Sequence, residues 1–137
     1  MYDSAIETQE FPVPATELAT PLTVTVTRAD EAVVVSLGGA AEVATSDDLA
    51  CQVEGAAASH PRVLILELSR LQFLNSLTLR TFIELHRTVA RAGGQVRIAG
   101  PTPYVAGVLT QTAIDRLMPV YPTLEKALAA PLPPRLH

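Results

Sequence analysis

The sequence has few of the residues that build common active sites. Its single cysteine, Cys51, excludes an internal disulfide framework, and we interpret it as a small packed residue rather than a redox switch. The three histidines lie far apart along the chain, so we expect no metal site. No nucleotide-binding glycine motif, nucleophile elbow or pair of carboxylates stands out. We therefore predict a protein that is not an enzyme, with no catalytic residue and no cofactor.

A basic surface and long apolar runs are also missing. The chain has 14 acidic and 10 basic residues, which give a net charge of −4, whereas a nucleic-acid binder needs a basic face. No apolar run approaches the roughly 18 residues of a membrane-spanning helix. The N-terminus has neither the basic head nor the apolar segment of a signal peptide. We expect a cytoplasmic protein that binds no nucleic acid directly and does not insert into a membrane.

The acidic excess and the prolines divide the chain into three parts. Residues 1–20 contain Asp3, Glu7, Glu10 and Glu17 without a basic residue, and are predicted to form a flexible acidic arm. Residues 21–130 are predicted to form one domain. The proline-rich end, residues 131–137, is predicted to be a disordered tail.

The domain alternates strand and helix patterns. Strands are predicted at 22–28, 31–39, 62–68, 95–100 and 117–122, and helices at 45–60, 76–92, 102–112 and 123–130. The apolar stripe of the second helix is read as Leu79, Phe82, Ile83, His86, Val89 and Ala90. An initial hairpin followed by strand–helix–strand crossovers predicts an α/β fold. Its sheet should be mixed and mostly parallel, with about five strands and about four helices.

Four stretches in this order carry a resemblance to a known family. They are SLGGAAEVATSDDL, LILELSRLQFLNSLTL, GGQVRIAG and VLTQTAIDRLMPVYPTLEKAL. Together they resemble the STAS domain of bacterial anti-sigma factor antagonists over about residues 21–130, in the same element order. The resemblance implies a protein that binds a serine-kinase anti-sigma factor by protein–protein contact and so releases a sigma factor. In that family the kinase phosphorylates the antagonist on a serine or threonine.

The turn before the second helix departs from the family pattern, Asp-Ser-Ser/Thr-Gly-Leu, whose third residue accepts the phosphate. Here it reads Asn75-Ser76-Leu77-Thr78, so leucine stands at the acceptor position. One interpretation is that Ser76 or Thr78 accepts phosphate instead. The other, which we favour, is that no phosphate switches this turn. In that case Asn75 and Ser76 cap the helix and Leu77 contacts a partner or packs locally.

The resemblance also implies a partner-binding surface. Its predicted residues are Glu42, Thr45, Asn75, Ser76, Leu77, Thr78 and Arg80. The arginines and Glu84 on the same helix form either a solvated face with local ion pairs or part of this docking surface. An alternative function is a non-phosphorylatable STAS adaptor or structural subunit of a signalling scaffold or a lipid-transport ATPase. A monomer and a weak dimer are both left open.

Overall fold

The predicted strands and helices build one mixed sheet with helices on both faces. The computed structural model describes residues 6–11, 22–29, 31–41 and 46–133. The strands are β1 (Ile6–Phe11), β2 (Leu22–Ala29), β3 (Ala32–Ala40), β4 (Val63–Phe73), β5 (Gln95–Ala99) and β6 (Val120–Tyr121). The helices are α1 (Ser46–Ala57), α2 (Ser76–Arg91), α3 (Pro103–Gln111) and α4 (Leu124–Ala129), with a 3-10 turn at Ile114–Arg116. None of these described helices is long and apolar enough to cross a membrane.

The six strands lie in the sheet in chain order. β1, β2 and β3 pair antiparallel, whereas β3, β4, β5 and β6 pair parallel. Parallel neighbours require a crossover, and α1, α2 and α3 supply the three crossovers. The predicted α/β class and mixed, mostly parallel sheet are confirmed.

The main core lies between the sheet and the three crossover helices. Alternate residues of β2 are buried, and they pack with Leu49 of α1, Phe82 of α2 and Val105 of α3 in one cluster. A smaller cluster occupies the opposite face of the sheet and includes Ala127 of α4. β4 is buried on both faces over Val63–Leu66, which explains its near-continuous apolar run.

Three features differ from the sequence prediction. β1 lies within the segment predicted as a flexible arm, and it adds a sixth strand by pairing with the edge of β2. β4 extends to Phe73 because Gly38, Gly39 and Ala40 continue its pairing across two register irregularities. Residues 131–133, predicted as part of a disordered tail, supply hydrogen-bond acceptors to buried and half-buried arginines of the domain.

Candidate protein-docking site

The start of α2 is fixed by a side-chain cap. Leu74 is buried and holds the end of β4 in the core. Asn75 has extended backbone geometry, and its Oδ1 accepts hydrogen bonds from the Thr78 backbone N–H at 3.0 Å and from the Thr78 hydroxyl at 3.1 Å. The cap satisfies one of the N–H groups that a helix start leaves without an intrahelical partner. The predicted capping role of Asn75 agrees with this geometry, whereas Ser76, predicted to cap the helix with it, is the first residue of α2 and not its N-cap.

Thr78 faces the interior, which changes its predicted role. Only 1% of its surface is exposed, and it lies on the buried side of α2 with Phe82, Leu85 and Val89. Its hydroxyl already donates to Asn75. A partner or a kinase cannot reach Thr78 unless the first turn of α2 unfolds. Of the two hydroxyls proposed from the sequence as phosphate acceptors, Ser76 is the exposed one.

The outer side of the same turn presents apolar and polar groups together. Leu77 is 39% exposed and Phe73, at the end of β4, is 43% exposed. Ser76 and Arg80 are also exposed. We call Phe73, Ser76, Leu77 and Arg80 the α2-start patch. Exposed large apolar side chains beside polar groups are typical of surfaces that contact other proteins.

A groove between α1 and α2 begins at this patch. Its volume is about 320 Å³. It is lined by Ala50, Val53 and Glu54 from α1 and by Leu77, Arg80, Thr81, Glu84, Leu85 and Thr88 from α2. Because Leu77 and Arg80 belong to both the patch and the groove, the two form one continuous surface.

The charged side chains of α2 are exposed and weakly paired. Arg87 lies 3.6 Å from Glu84, and both side chains are more than half exposed. Such a pair contributes a few tenths of a kcal/mol to stability, which agrees with the interpretation of these residues as a solvated face with local ion pairs.

Cys51 of α1 is exposed, so the prediction that it is a packed residue is wrong.

The structure brings only some of the predicted partner-binding residues together. Ser76, Leu77 and Arg80 share the α2-start patch, with the half-buried Asn75 beneath them. Glu42 and Thr45 lie outside the described residues. The sequence analysis did not select Phe73 or the α1 side of the groove. Phe73 could have been found from its place between the predicted strand and the helix cap.

Comparisons with known proteins agree with this architecture. A protein of Thermotoga neapolitana, whose name places it as a homologue among anti-sigma factor antagonists, is 29% identical over 65 residues. That alignment spans 47% of this chain and 58% of the relative, a little over half of its length. An anti-sigma factor antagonist from Mycobacterium paratuberculosis has a similar structure, with a TM-score of 0.74 and 25% identity. The match covers 86% of this chain and 96% of that chain.

A STAS domain that belongs to a transporter is similar as well. The STAS domain of a SulP transporter from Vibrio cholerae has a TM-score of 0.60 and 27% identity, and the match covers 75% of this chain and 82% of that one. The family model described as the STAS domain matches residues 23–127, which include every described element except β1, the first residue of β2 and the last two residues of α4. This chain belongs to the STAS domain family.

Proposed function

We propose that this protein is an anti-sigma factor antagonist that binds a serine-kinase anti-sigma factor through the α2-start patch and so releases a sigma factor. The observation that carries the proposal is the exposure of Leu77 at a rigidly capped helix start, at the position where the resembled family has its phosphate acceptor. The names of the Thermotoga and Mycobacterium relatives support the same function.

The chemistry of the patch suits a protein partner. Burying a leucine side chain fully is worth about 1.5–3 kcal/mol, so covering the exposed part of Leu77 contributes about 1 kcal/mol. Phe73 adds a second, larger apolar surface of similar exposure. Ser76 and Arg80 supply the polar rim that such interfaces usually have. The patch therefore combines exposed apolar side chains with hydrogen-bonding groups.

Leu77 changes how the interaction can be controlled. A phosphate adds roughly −1.5 to −2 charges and disrupts an apolar contact, but leucine has no hydroxyl to accept it. The exposed Ser76 is the first residue of α2, where unpaired N–H groups tolerate an anion. We propose that the protein binds its partner without a phosphate switch at position 77. Phosphorylation of Ser76 is the alternative.

The proposal is tested by capturing partners from a native-host lysate on three forms of the protein. The wild type is compared with Leu77→Glu, which places a negative charge among the apolar groups of the patch, and with Leu117→Glu. Leu117 is a matched control because it is 47% exposed and follows the 3-10 turn before β6. We expect a kinase-type anti-sigma factor on the wild type and on Leu117→Glu, with at least tenfold less on Leu77→Glu.

The intact mass of the recovered bait separates the two modes of control. Unmodified bait supports an antagonist without a phosphate switch, whereas an added phosphate that peptide mapping places on Ser76 shows that the acceptor has moved by one residue. Equal recovery of the anti-sigma factor on the wild type and on Leu77→Glu would show that Leu77 is not part of the interface.

The similarity to a transporter STAS domain favours a second candidate function, that of an adaptor or structural subunit. Recovery of transporter or scaffold subunits without an anti-sigma factor would support that candidate instead.

A further inference from the structure

Arg97 is a buried cation on β5. Only 2% of its surface is exposed, although it carries a permanent charge. The two ion pairs found among the described residues, Arg62–Glu31 and Arg87–Glu84, do not include it. A buried charge is costly unless hydrogen bonds satisfy its donors. Arg97 must therefore obtain its compensation from neutral groups.

Backbone carbonyls at the C-terminal end of the chain supply most of this compensation. Nη1 of Arg97 donates to the carbonyl oxygens of Ala127 at 2.7 Å and Ala130 at 3.1 Å, and Nη2 donates to that of Pro131. Nε donates to the side chain of Gln95 at 2.7 Å. The Ala127 and Ala130 carbonyls lie at the C-terminal end of α4, where helix carbonyls lack partners and the helix dipole favours a cation.

A second arginine holds the segment that follows. Nη2 of Arg62 donates to the carbonyl oxygen of Pro133, and Nη1 pairs with Glu31 at 3.2 Å. Proline favours an extended conformation in the residue before it, and Ala130, which precedes Pro131, has φ −65° and ψ 146°. The segment is therefore preorganised to run from Arg97 to Arg62.

The apolar contact of α4 is small by comparison. α4 has six residues, of which Ala127 is buried and Leu124 is half-buried against the same cluster. The cluster that it covers contains Val34, Val63, Ile65 and Ala99. A helix with so little buried surface depends on other interactions to remain on the sheet, and such elements open locally before the rest of the domain unfolds.

We propose that residues 127–133 form a clasp that is held closed by Arg97 and Arg62, and that opens as a unit to uncover the apolar face of Val34, Val63, Ile65 and Ala99. The clasp is a conformational device on the face of the sheet opposite α1, α2 and α3. Its closure depends on carbonyl acceptors of the C-terminal segment rather than on a carboxylate. Loss of residues 131–133 should therefore open it while the main core stays folded.

Two truncations test the clasp by amide hydrogen exchange. The first ends at Ala130 and removes the Pro131 and Pro133 acceptors, and the control ends at Pro133 and keeps them. Both chains carry a C-terminal amide, because a free carboxylate on Ala130, whose carbonyl lies 3.1 Å from Arg97, would itself hold the guanidinium. We expect exchange at the amides of α4, such as that of Ala127, to be about tenfold faster or more in the shorter chain than in the control. Exchange at Leu85 and Val89 in α2 should be the same in both. Equal exchange of the α4 amides in the two chains would overturn the proposal.

A substitution separates the clasp from a general effect of shortening the chain. In Arg97→Met the guanidinium is absent, so the α4 amides should already exchange about tenfold faster in the full-length protein. The two truncations should then differ from each other less than they do in the wild type, because only the Arg62–Pro133 bond is left for the truncation to remove. A difference in the Arg97→Met background as large as that in the wild type would show that Arg97 does not hold the segment. If Arg97→Met fails to fold, Arg97→Lys, which keeps the charge but loses the planar fork, replaces it.

Discussion

Replacing Asn75 with alanine is expected to lower the free energy of unfolding by about 2–4 kcal/mol, more than the loss of an ordinary helix cap. Two contributions add up to this value. The bond from the Thr78 backbone N–H to Oδ1, at 3.0 Å, is a typical cap worth about 1 kcal/mol. The Thr78 hydroxyl, buried and 3.1 Å from the same oxygen, would lose its acceptor, which costs about 1–3 kcal/mol.

Urea unfolding measures this change, with Thr102→Ala as the matched control. Thr102 caps α3, and its hydroxyl oxygen accepts from the Val105 N–H at 3.3 Å, so we expect a loss of about 1 kcal/mol there. The comparison requires an unchanged m-value, because the denaturation midpoint then reports stability alone.

The dependence on the Thr78 hydroxyl is tested in a second background. In Thr78→Val the hydroxyl is absent, so adding Asn75→Ala should cost only about 1 kcal/mol, the value of the cap. If Asn75→Ala cost the same in the wild-type and Thr78→Val backgrounds, the buried hydroxyl would not depend on Asn75. That result would refute the two-bond role of the Asn75 side-chain oxygen.

Two further predictions concern glycine and cysteine. Gly94→Ala should destabilise the protein by about 1–3 kcal/mol in urea unfolding, because its Cβ would lie 2.5 Å from the Pro61 carbonyl oxygen and 2.8 Å from the Val89 side chain. The control Gly55→Ala, in open space on α1, should instead stabilise the protein by about 0.5–1 kcal/mol. Equal effects of the two substitutions would show that the structure around Gly94 relaxes without cost. Cys51 should react completely with iodoacetamide in the folded protein, followed by mass spectrometry, and protection until unfolding would contradict its exposure.

Local signals were the part of the structure that the sequence predicted well. The predicted cap at Asn75 depends only on its side chain and a backbone N–H three residues later, and it is present. The same holds for the central strand β4, because a near-continuous apolar run is typical of a parallel strand that is covered on both faces. These features need no knowledge of distant contacts.

The orientation of α2 was less predictable because it depends on its neighbours. The apolar stripe was read as Leu79, Phe82, Ile83, His86, Val89 and Ala90, whereas the buried residues are Thr78, Phe82, Leu85 and Val89. The stripe is thus rotated about the helix axis, because α1 and the sheet together cover the side that includes Leu85. Periodicity locates an apolar stripe only approximately, and it gives no weight to a buried threonine.

Features that depend on pairing with distant segments were not visible in the sequence. β1 has no run of apolar residues, and it exists in the structure through its ladder with β2. The α2-start patch was predicted at Leu77 and Arg80, but its continuation into the groove needs α1 to pack beside α2. The clasp likewise requires the C-terminal carbonyls to meet Arg97, which lies 30 residues or more away along the chain.

The two sides of the turn before α2 perform separate tasks. Asn75 and Thr78 hold the helix start from the inside, through one oxygen that accepts two hydrogen bonds. Ser76 and Leu77 are exposed on the outer side of the turn. Because an acceptor oxygen at position 75 is sufficient for the cap, asparagine can replace the aspartate of the family pattern without loss of the turn. A change at Leu77 should therefore alter partner binding while the helix start remains intact, which is why binding to Leu77→Glu reports on the surface rather than on stability.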